Sequence, residues 1–118
     1  MAATYEPIAT TTLGSSQGTI TFSSIPSTYT DLVIVMNYSN GSSEYPSLQF
    51  NGDTGNNYSW RDLGGNGTSA VSYSGSNVAS IPFLGYAVAG STNFGNVIAH
   101  INNYANTTTY KTVIGRSN

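Results

Sequence analysis

The 118-residue chain carries three basic and five acidic side chains, a net charge of −2, one histidine and no cysteine. So few cations exclude nucleic-acid binding by phosphate neutralisation, and the missing thiols exclude disulfides and cysteine-ligated metal. Gly, Ser, Thr and Asn dominate instead, yet 38% of residues are hydrophobic and 12% aromatic, so one ordered domain spanning 1–118 is expected rather than disorder.

Met1-Ala2-Ala3-Thr4-Tyr5-Glu6-Pro7 has neither the basic nor the apolar region of a signal peptide. Residues 1–13 read equally as an N-terminal arm or a first strand, since termini are ordered mainly when tied into a sheet. Thr19-Ile20-Thr21-Phe22 alternates like a strand, with Ile20 and Phe22 expected inward. Pro26 then interrupts, because proline cannot donate to a ladder. Leu32 to Met36 is the strongest strand and the longest apolar run, too short to cross a bilayer as a helix. No membrane contact is expected. Asn40-Gly41 closes that strand with a turn.

Further strands are predicted at Ser47 to Phe50, Tyr58 to Leu63, Thr68 to Tyr73, Ser80 to Phe83, Tyr86 to Ala89, Asn96 to Tyr104 and Tyr110 to Ile114. Their connections include Asn51 to Gly55, Gly64 to Gly67 and Ser74 to Asn77, rich in residues that accept positive φ. Many short strands with frequent turns predict an all-β fold, a single antiparallel β-sandwich of jelly-roll type.

Two features point beyond the fold. Leu32, Ile34 and Met36 share one strand face, but Val33 and Val35 make the other face apolar as well. A sandwich strand normally turns one face to water. The chain also has one lysine, whereas isolated β-domains guard their edges with lysines and inward charges. Both features favour a homo-oligomer with Val33, Val35 and Trp60 at its interface; a covering loop is the alternative.

The individual chemical residues read mostly as structural. His100 shares a face with Ile98 and has no nucleophile elbow to serve, so a structural or interface histidine is expected and no enzyme. Asn51-Gly52-Asp53-Thr54-Gly55-Asn56-Asn57 looks oxygen-rich but lacks the order of a calcium loop and its distal glutamate; no metal or cofactor is expected. Trp60 reads as core or interface, with a sugar-binding platform as the alternative. The N-x-[ST] triplets at Asn37, Asn40, Asn57, Asn66 and Asn106 follow from composition.

Longer blocks carry a family resemblance. Thr4-Tyr5-Glu6-Pro7-Ile8-Ala9-Thr10-Thr11-Thr12-Leu13, Thr21 to Ile25, Tyr29 to Val33, Phe50 to Ser59, Gly65 to Thr68 and Asn103 to Thr112 resemble a family of small virion proteins of tailed bacteriophages. The resemblance implies a structural protein of the virion. It favours a capsid decoration (cement) protein made in the host cytoplasm and seated on the outer capsid surface. Its implied partners are the major capsid protein and further copies of itself, as a trimer. Tyr5, Pro7 and Ile8 are then the expected capsid contacts. The alternative is a tail-fibre module that binds host glycans through Tyr58, Trp60 and Asp53. Members of this family continue beyond Arg116-Ser117-Asn118 with further β-segments. This chain is then either a shorter member or a sandwich that lacks strands, and in the second case a neighbour is expected to complete the sheet by strand addition.

Overall fold

The computed structural model describes residues 5–39, 45–65, 67–83 and 94–117. The fold is all-β, with seven strands and only antiparallel pairing among these residues. The strands are β1 (Leu32–Tyr38), β2 (Ser47–Leu48), β3 (Tyr58–Gly65), β4 (Ala70–Val78), β5 (Ile81–Pro82), β6 (Gly95–Asn102) and β7 (Thr112–Ser117). They form a sheet of order β1-β6-β7, a β3–β4 hairpin and a short β2–β5 pair. This architecture is consistent with a β-sandwich; the jelly-roll strand order is not displayed by these ladders.

The central strand β6 supplies the core. Its side chains alternate with period two, and Val97, Ala99 and Ile101 are each at most 2% exposed. They pair across the sheet with Met36, Ile34 and Leu32 on one side and with Ser117, Gly115 and Val113 on the other. Paired residues of antiparallel strands point to the same face. The inner face of the sheet therefore carries Leu32, Ile34, Met36, Val97, Ala99, Ile101 and Val113.

Several expected elements differ. Thr19 to Phe22 forms no strand, and Ile20 and Phe22 are each 43% exposed rather than inward. The local pattern suits a strand, but no strand among the described residues pairs with it, and Ser24 just beyond adopts φ 56°. Ser74 to Asn77 is not a turn but the interior of β4. Asn77, at φ 54°, absorbs the register shift beside Tyr58 as a bulge. The Asn51-Gly52 turn forms as expected, with φ 53° and 68°. The predicted Asn40-Gly41 turn and Tyr86 to Ala89 strand lie outside the described residues.

Trp60 on β3 faces Gly75 on β4. A Cβ at position 75 would lie 2.8 Å from Trp60 Cε2 and closer still to Nε1, so the indole occupies the space that glycine leaves. Gly75→Val is expected to push Trp60 off the hairpin and cost about 1–3 kcal/mol, as overpacking does. Trp60 is the sole tryptophan, so a red-shifted emission with a lowered melting temperature checks this.

Candidate functional site

The opposite face of the three-stranded sheet is built by the same register. Val33 pairs with His100 and Val35 with Ile98; Ile98 in turn pairs with Arg116, and His100 with Ile114. Val33, Val35, Ile98 and Ile114 thus share one outer face, interrupted by His100 and flanked by Arg116. Val35 is 74% exposed and Ile114 62%, while Val33 and Ile98 are half-buried. The two valines were legible from alternation alone. Joining them to Ile98 and Ile114 required the strand order. His100 sits exposed among apolar neighbours rather than beside a carboxylate in this register.

Trp60 is not part of that face. It lines a cleft of about 490 Å³ between the β3–β4 hairpin, β5 and β7, together with Val97 and Val113 from the sheet's inner face. Arg61, Lys111 and Arg116 also line it. Lys111 is already engaged, since Nζ donates to the carbonyl oxygens of Asn106 and Asn103. The expected interface trio of Val33, Val35 and Trp60 is therefore divided between two surfaces.

The Asp53 loop is closed on itself. The Asp53 carboxylate accepts from the Gly55 N–H at 2.9 Å and from Asn57 Nδ2 at 3.0 Å. Tyr58 is 8% exposed; its hydroxyl donates to the Asp53 carbonyl at 3.1 Å and accepts from the Phe50 N–H at 3.0 Å. Tyr58 and Asp53, the expected glycan contacts, both hold the loop through these bonds, and Tyr58 is buried. No group of three metal-ligating side chains occurs among the described residues.

The N-terminal run is open. From residue 5 to 30 only Ile25 and Tyr29 are half-buried and the rest are exposed, Tyr5 at 70% and Ile8 at 41%. Pro7 is exposed too. One backbone hydrogen bond anchors the end of this run: the Tyr104 N–H donates to the Thr30 carbonyl at 3.2 Å. Beside it Asp31 Oδ1 accepts from the Asn103 N–H at 2.6 Å.

Two tyrosines here titrate abnormally. Desolvation, then the hydrogen bond and charge of Glu6, raise the Tyr29 phenol above its ordinary 10.0. Desolvation and then Tyr45 raise Tyr38 above the same value. Their stabilising contribution is complete below pH 10. It falls as pH rises from there through the raised folded values, because the unfolded chain ionises first. Chemical denaturation at pH 9 and pH 11 is expected to give a lower midpoint at pH 11.

Comparison with protein-family models, with curated proteins and with solved structures found no match to this chain.

Proposed function

We propose that the protein is a non-enzymatic structural component of a bacteriophage virion, a capsid decoration protein that works as a homo-oligomer, a trimer, bridging major capsid subunits. The observation that carries this reading is the outer sheet face of Val33, Val35, Ile98 and Ile114. It is apolar on three adjacent strands and strongly exposed at Val35 and Ile114. Exposed apolar side chains gathered on one sheet face mark an interaction surface. The family resemblance supplies the setting.

In this reading the outer face is the seam between copies, and the N-terminal run reaches the shell. Tyr5, Pro7 and Ile8 stand exposed in this run, so their side chains are available to meet the shell. Each such contact is weak, but an oligomer presents several at once, and linked contacts gain by effective concentration. With few charges involved, attachment should depend little on salt.

Removal of residues 2–13 is expected to abolish binding to purified capsids that lack the protein while leaving the oligomer folded. Co-sedimentation with such capsids checks this, and undiminished co-sedimentation would contradict the arm's role. The cleft at Trp60 favours a second reading, a tail-fibre module for host glycans, because an indole lies there beside Arg61 and the hydroxyls of Ser59, Ser76 and Thr112. Glycan-array binding by the isolated protein, lost on Trp60→Ala, would support that reading instead.

A further inference from the structure

We infer that Thr19-Ile20-Thr21-Phe22 of one copy adds as a strand to the free edge of β7 in a second copy. This deepens the oligomer reading and rests on it. Three observations converge. The segment has strand alternation, yet it pairs with nothing among the described residues, and its two apolar side chains stand 43% exposed. Strand β7 pairs only with β6, so its other edge leaves backbone donors and acceptors unpaired by any described strand. That edge borders the cleft of about 490 Å³, whose apolar lining includes Trp60, Phe83, Val97 and Val113.

A strand added at this edge continues the alternation of the sheet. Side chains of one parity enter the cleft beside Val113, and those of the other join Ile114 on the outer face. Ile20 and Phe22 take the first position and Thr19 and Thr21 the second. Main-chain hydrogen bonds supply affinity and the two apolar side chains supply register, as in other strand additions. The added strand also extends the outer face of Val33, Val35, Ile98 and Ile114, so the two surfaces become one seam.

The occupant is another copy, because the segment and the edge it suits both belong to this chain yet do not pair with each other within it. Within one copy the segment stays unpaired while the β7 edge is open. The Thr30–Tyr104 hydrogen bond fixes the chain just beyond the segment without bringing the segment to that edge. A head-to-tail contact of this kind gives a ring where its rotation closes, and a trimer is one such ring.

The absence of cysteine makes the test direct. Thr21→Cys and Ile114→Cys, combined in the full chain and oxidised, are expected to give covalent dimers and higher species, with each single variant giving far less. A monomeric intrachain disulfide, or no cross-linking beyond the single variants, overturns the inference. Separately, Ile20→Ser with Phe22→Ser should raise the dissociation constant of the oligomer about a hundredfold or more, read by light scattering across a dilution series. The far-UV spectrum should stay that of the native chain, and an unchanged dissociation constant overturns the inference. If the variant unfolds, the cross-linking result decides alone. A native oligomer without the cross-link sinks only this strand exchange; a native monomer at micromolar concentration sinks the oligomer reading as well.

Discussion

Val35→Asp is expected to leave the chain folded and to take the oligomer apart. In the single chain Val35 is 74% exposed, so a carboxylate there meets water and costs the fold little. In an assembled seam the same carboxylate would be buried among Ile98, Ile114 and their counterparts, with Ile98 and no cation directly opposite it in the register. An unpaired buried charge costs on the order of 3–5 kcal/mol, enough to weaken association by at least two orders of magnitude. Light scattering at fixed concentration reads the mass, and circular dichroism reads the fold. A variant with the parent's mass would mean that this face is not where copies meet. Val33→Asp is a less clean probe, because Val33 is half-buried already and its replacement also disturbs the sheet.

Ile101→Ala is expected to have the opposite signature, with the fold itself giving way. Ile101 is 2% exposed on the central strand and lies between Leu32 and Val113. Truncating a buried isoleucine costs about 2–5 kcal/mol, the larger values applying where neighbours cannot collapse into the space. Here a strand pairs on each side of β6, which limits that collapse. Thermal unfolding at constant protein concentration should show a fall of roughly 10 °C or more. Constant concentration matters because association itself stabilises the folded chain. A fall of only one or two degrees would place the weight of the core elsewhere.

The two substitutions also mark what could be read from sequence. Alternation placed β1, β3, β6 and β7 near their observed positions, because each is long enough for period two to stand out from the Ser, Thr and Asn around it. It also separated Val33 and Val35 from Leu32, Ile34 and Met36. It could not rank the strands. Leu32 to Met36 looks most core-like, yet the deepest residues are Val97, Ala99 and Ile101, because β6 lies between two neighbours and β1 has one. Burial at the centre of a sheet depends on strand order, which no single segment encodes.

The misreadings have the same origin. Thr19 to Phe22 carries a strand pattern but pairs with no edge among the described residues, and propensity does not make a strand without a partner. Ser74-Gly75-Ser76-Asn77 has turn composition, but Gly75 is there to admit the Trp60 indole and Asn77 to absorb a bulge. Tyr58 and Asp53 look available for a ligand as isolated polar residues. Their hydrogen bonds to Phe50, Gly55 and Asn57 become visible only once the loop is folded.

The shortage of charge thereby gains a structural reading. With few cations to guard β-edges, the chain leaves one edge of β7 unpaired by any described strand beside a cleft and leaves Val35 and Ile114 facing outward. Neighbouring copies and a capsid surface are the proposed cover. Imaging of intact virions that contain this protein tests that proposal most directly. The expected result is trimeric density over the junctions between major capsid subunits, with the N-terminal run against the shell. Density confined to the tail or its fibres, or purified particles without the protein, would contradict it.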